Sequence, residues 1–130
     1  MDLKNFVPSN DDVTVELKIK EKNLTNADGS NMTITVMSPH SKKYKEVLHQ
    51  LSRERLKAIK EADGDENAGG DFEAFAMNVL VETTTGWNIT WDGKKPKFNK
   101  QLAREIYESA FWIKMLIREA QAKLSDFTIP

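Results

Sequence analysis

The chain has 130 residues, 39% of them apolar and 30% charged, with a formal net charge of -1. That length supports one globular domain and not two cores. With no Cys and only two His, the sequence excludes disulfides, thiolate metal sites and a Cys nucleophile, and it offers few general bases, which argues against most enzymes.

Residues 1–12 read as a flexible arm ahead of a single domain, 13–130. Val13, Val15, Leu17 and Ile19 alternate with polar residues, and Met32, Ile34 and Val36 repeat the pattern after Asp28-Gly29. Period two is the mark of half-buried strands, so 13–37 is expected to form a β-hairpin with a long connection. Such a hairpin is marginal alone and must lean on something. From residue 38 onward the chain reads as helical. Ser38-Pro39 makes a plausible helix start, and Tyr44, Val47, Leu48, Leu51, Ala58, Ile59 and Ala62 form one stripe with Arg55 in its middle.

The polar, glycine-rich DGDENAGG ends that helix, and Asp71 is placed to cap a second. Phe72, Phe75, Ala76, Val79 and Leu80 share one side of it while Met77 and Val81 lie on another, which suits a central helix. It is expected to stop near Thr85-Gly86, with 87–98 a loop turning at Asp92-Gly93. Asn99 caps a short helix bearing Leu102, Ala103, Ile106 and Tyr107, and the pattern changes register near Ser109. The last helix, about 110–124, has Ile113, Leu116, Ile117, Ala120 and Leu124 on one side and Phe111, Trp112 and Met115 on another. Two apolar surfaces on a terminal helix call for two neighbours; the second three residues either finish the core or meet a partner. The expected class is α+β, mainly α, with an N-terminal β-hairpin and about four helices in a compact bundle.

Charge is balanced overall but segregated. Residues 39–60 hold seven Lys/Arg against two Glu, 61–82 hold seven acids and no Lys or Arg, and 92–104 hold five Lys/Arg against Asp92. Such blocks solvate helix faces or steer contact between copies. On the second view Lys42, Lys43, Arg53 and Lys57 meet Asp63, Asp65 and Glu66 of a neighbour, giving a homo-oligomer. Asp63, Asp65 and Asn67 have the first ligand spacings of a calcium loop, but Ala68 and Ala74 stand where Gly and a bidentate Glu are required. Lys94, Lys95, Lys97 and Lys100 beside Trp87, Trp91 and Phe98 combine charge with stacking surfaces, as a small nucleic-acid-binding module would, although a net acidic domain fits this poorly. No motif points to a catalytic set, a metal or a cofactor. No apolar run approaches a membrane span of roughly 20 residues and MDLKNFVPSNDD is unlike a signal peptide, so the expected location is cytosolic, without a membrane partner.

VETTTGW (81–87), Trp91-Asp92-Gly93, Pro96-Lys97-Phe98-Asn99, Trp112-Ile113 and Phe127 follow in an order that resembles the tail assembly chaperones of long-tailed, siphovirus-type bacteriophages, over about residues 75–127. The resemblance implies a non-enzymatic protein of the infected bacterial cytoplasm that binds the tape-measure protein, helps recruit tail-tube subunits and is absent from the finished virion. Phe111, Trp112 and Met115 are the residues expected to meet such a partner.

Overall fold

A computed structural model describes residues 2–7, 9–65 and 71–125. Strands β1 (Val13–Glu16), β2 (Lys18–Ile19), β3 (Lys22–Asn23) and β4 (Thr33–Val36) precede helices α1 (Lys42–Glu61) and α2 (Phe72–Thr83); strand β5 (Thr84–Asn88), then α3 (Lys100–Ser109) and α4 (Phe111–Ser125), complete the order. Four helices and a small antiparallel sheet make the fold α+β.

β1 and β4 pair antiparallel, from Val13↔Val36 to Glu16↔Thr33, but β4 is also paired antiparallel to β5, giving the order β1-β4-β5. The expected hairpin is thus two strands of a three-stranded sheet. The third strand comes from 84–88, a stretch read as a helix end and loop, so 38–130 is not purely helical. A two-stranded ribbon is marginal in water, and β5 supplies the edge that β4 needs. The register slips between Thr35 and Val36, with Thr85 as the extra residue of a bulge.

Inward residues of the sheet, Ile34 and Val36, join Leu17, Leu80, Val81, Ile89, Ala103, Ile106, Tyr107, Ile113 and Ile117 in one buried cluster. Ile19 breaks the expected alternation. β1 ends at Glu16, and the small β2–β3 pair turns away from the core, leaving Ile19 exposed. The stretch read as an arm is fastened at two points: Ser38 Oγ donates to Ser9 O at 3.0 Å, and Thr85 Oγ1 donates to Asp12 Oδ2 at 3.1 Å. Within it Leu3–Phe6 form a 3-10 turn capped by Asp2.

Ser41, three residues later than expected, caps α1 by accepting from Tyr44 N at 3.1 Å; Pro39 lies in the turn before it. Asp71 caps α2 and Asn99 caps α3 through Ala74 N and Leu102 N, both at 2.8 Å. These contacts satisfy amides that a helix start leaves without partners. Each helix packs on the next in chain order, and the sheet takes part in the packing as well. α2 lies centrally against α1, α3 and β5, and α4 packs on α3 and β4. None of the α1 residues is buried, so this helix rests on α2 rather than in the core. The reason is its stripe: Arg55 interrupts it and sets its guanidinium 5.8 Å from the centre of the Phe75 ring, a cation–π contact at the margin of the fold.

The junction between α2 and β5 is held by polar groups. Thr83 Oγ1 donates to Val79 O at 2.7 Å and accepts from Gln121 Nε2 at 3.1 Å. Thr84 Oγ1 gives its one hydrogen to Leu80 O, so Tyr107 OH is the donor across the 2.8 Å contact between the two hydroxyls. Burial pushes the Tyr107 phenol up to about 12, from an ordinary 10.0. A raised phenol stabilises the fold fully below the unfolded value near 10, and that contribution is lost as pH rises through about 12. Burial raises the Tyr44 phenol too, so alkaline ultraviolet titration should show both tyrosines ionising late, with the step near 12 lost in Tyr107→Phe.

Candidate functional site

Phe111, Trp112 and Met115 lie in the first two turns of α4, opposite buried Ile113 and Ile117. They do not finish the core of the single chain: their relative exposures are 67%, 39% and 42%. Helical spacing places Phe111, Met115, Arg118 and Ala122 on one ridge, each three or four residues from the next. The C-terminal part of that ridge, Arg118 and Ala122, forms a wall of an open groove of about 370 Å³. The other wall is Tyr44 and Leu48 of α1, and Phe75 and Ala76 of α2 form the floor.

Glu73, in the first turn of α2, ties floor to wall. Its Oε2 is 3.2 Å from Arg118 Nη1 and 3.6 Å from Lys114 Nζ, and that ammonium lies 5.6 Å from the centre of the Phe111 ring. The neighbouring Phe72, expected in the α2 stripe, is 67% exposed and belongs to the groove lining instead. Leu48 and Phe72 lie in the expected stripes of their helices and are nevertheless exposed, because period reveals a stripe but not which of its edges a neighbour covers. Leu56 gave a usable signal: it lies outside the α1 stripe and is exposed. Leu48, Phe72 and the α4 ridge make an apolar surface across α1, α2 and α4 of the kind that marks an interaction site.

Lys42, Lys43, Arg53 and Lys57 are all exposed on α1, and Asp63 and Asp65 are exposed just beyond its end. Glu66 lies outside the described residues. Lys57 Nζ is 3.9 Å from Glu61 Oε1 on the same helix, a solvated pair worth little. α1 has 20 residues, so Lys42 and Asp63 are about 30 Å apart and do not meet within one chain. Lys42 and Lys43 occupy the first turn, which holds no acid, while Glu61, Asp63 and Asp65 follow at the other end. Lys60 apart, this opposes the helix dipole, which favours acids at the start and cations at the end.

The Lys94–Lys100 loop is largely occupied by its own fold. Trp91 and Lys94 exchange backbone hydrogen bonds of 2.8 and 3.1 Å around Asp92 and Gly93, both at positive φ, a tight turn that Asp-Gly favours. Trp87 Nε1 donates to Pro96 O at 2.9 Å, and its ring meets Phe98 edge-on at 4.8 Å. Trp87, Trp91 and Phe98 pack against the core. Lys100 Nζ donates to Thr84 O at 2.6 Å and Glu82 O at 2.8 Å, and burial lowers its pKa against the opposing charge of Glu82. Lys95 Nζ is 3.3 Å from Asp28 Oδ2. Bonds from Ser30, with Lys95 adding to them, hold the Asp28 carboxyl at about 2. Lys94, Lys95 and Lys97 are all exposed, and among the described residues Lys94 and Lys97 make no ion pair.

Among the described residues no cluster of His, Asp and Glu could hold a metal ion, and no helix is long and apolar enough to cross a membrane. Comparison with protein-family models, with curated proteins and with solved structures finds no match to this chain.

Proposed function

We propose that this protein is a phage tail assembly chaperone: it binds the tape-measure protein and helps recruit tail-tube subunits through protein contacts, without catalysis. The observation that carries the proposal is the apolar surface of Phe111, Met115, Phe72 and the groove beside them, left open on a chain that otherwise closes its core. A long, partly helical tape-measure chain exposes apolar stripes until the tube encloses it. A small protein with a ready apolar face can cover those stripes, and many copies along the length multiply the effect.

The run VETTTGW that carries the family resemblance forms the α2–β5 junction here, with Thr83 and Thr84 bonded to Gln121 and Tyr107. Its residues therefore serve the scaffold, and the partner-facing residues lie elsewhere on it. Segregated charge suits self-association, with the basic face of α1 meeting Asp63 and Asp65 of the next copy, a head-to-tail contact that favours several copies side by side. The proposed location is the host cytoplasm, with no copy in the finished virion. Co-expression with the long tape-measure reading frame of the same gene cluster tests the proposal: the partner should become soluble and co-purify, and mass spectrometry of purified virions should not find the chaperone. A tape-measure protein equally insoluble with and without it contradicts the proposal.

A further inference from the structure

The groove runs between two helices over a third, and the charge along its two walls differs. On the α4 wall Arg118 and Lys114 share Glu73, at 3.2 and 3.6 Å. On the α1 side Lys45, Arg53 and Lys60 recur along one exposed edge beside Leu48 and Leu56, by the spacing of the helix. Among the described residues these three make no ion pair. The acids Glu54 and Glu61 lie on the opposite edge of α1, where Gln50 and Lys57 meet them, and exposed Glu46, seven residues before Arg53, is the one acid of α1 on the cationic side. The groove therefore has an apolar floor, an α4 wall whose two cations share Glu73, and an α1 edge on which Lys45, Arg53 and Lys60 outnumber Glu46.

We propose that this groove takes a single amphipathic α-helix with an acidic flank, its apolar side on Tyr44, Leu48 and Phe75 and its acids against Lys45, Arg53 and Lys60. From Phe111 to Ala122 the α4 ridge spans about three helical turns, which sets the length of the contact. A helix fits because three helix surfaces already frame the space, so a fourth can pack its ridges against them. A second copy of this chain fits less well, since two α1 helices placed face to face in antiparallel order bring Lys42 and Lys45 onto the partner copy's Lys60. The proposal rests on reading this surface as the one that binds a partner, and it adds the partner's chemistry.

The test uses the full chain and two designed peptides of about twenty residues, long enough to hold a helix. Both carry the same Leu/Ala stripe; one has Glu along a flank, the other Lys. Titration calorimetry should find the Glu peptide bound at least about tenfold more tightly than the Lys peptide, with affinity falling as salt rises. Leu48→Asp and Lys45→Glu, both on exposed positions, should each weaken it by about tenfold or more while the melting temperature stays in place. Equal binding of the two peptides, or binding indifferent to Leu48→Asp, overturns the proposal, as does a self-associated wild type that Leu48→Asp disperses. If the Glu peptide behaves as expected but the tape-measure protein stays insoluble on co-expression, the groove's chemistry stands and the chaperone role fails. If the tape-measure protein is captured equally well by both variants, the chaperone role stands and the acidic helix is overturned.

Discussion

Ile117→Ala is expected to destabilise the protein by about 2–5 kcal/mol, whereas Met115→Ala, two residues away on the same helix, costs under about 1 kcal/mol. Ile117 is fully buried, with Ile34, Val36 and Ile113 in its cluster, so removing its methyl groups opens a cavity that the β4–α4 contact cannot close. Met115 loses part of a side chain that water already reaches. Domains of this size hold roughly 5–15 kcal/mol of stability, and each kcal/mol moves the melting temperature by roughly 4 °C. Thermal unfolding of the two variants should therefore separate by several degrees at least. Equal melting temperatures would mean that α4 does not divide into a core side and a partner side.

Lys100→Met is expected to cost about 2–3 kcal/mol, as the loss of charge-assisted hydrogen bonds does. The ammonium bonds Thr84 O and Glu82 O, with Val81 O at 3.4 Å, and so joins the start of α3 to the end of α2. Carbonyls at a helix end need partners, and a cation there also complements the dipole. Methionine preserves the stem and its packing near the Phe98 ring, 5.4 Å from the ammonium, but leaves those oxygens without the donor. Chemical denaturation measures the difference, and Lys97→Met, from an exposed neighbour in the same loop, should change stability little. A loss confined to Lys97→Met would contradict the role assigned to Lys100.

Local chemistry was legible in the sequence wherever one residue decides a local geometry. Asp71 and Asn99 cap the helices that they were expected to cap, Asp92-Gly93 turns where its backbone preference predicts, and the break near Ser109 separates α3 from α4. Partnership over distance was not legible. β5 was hidden because Gly86 in Thr-Thr-Gly-Trp reads as a helix stop, while the strand that it pairs with lies about fifty residues earlier. The β2–β3 turn was hidden for a different reason: Lys20 and Glu21 adopt positive φ without the Gly or Asn that announces it. Ser38-Pro39 looked like a cap, but Ser38 Oγ holds Ser9 and its carbonyl accepts from Ser41, which leaves Ser41 to start α1.

The candidate surface was legible in part. Phe111, Trp112 and Met115 stand off the core stripe of α4, and the structure places them in solvent. Phe72 and Leu48 could not be separated from the core by period alone, because their exposure depends on where α1 settles on α2. The basic loop was misleading in the opposite direction: its aromatics and Lys100 resemble an exposed stacking surface in sequence, yet they pack against and bond to the α2–β5 junction.

The most direct measurement is quantitative capture of the tape-measure protein by wild type and by the Phe111→Ser/Met115→Ser double variant, with melting temperatures recorded in parallel. The account predicts that the double variant melts within a few degrees of wild type but loses at least about nine-tenths of the captured partner. Capture equal to wild type by a folded double variant would contradict it.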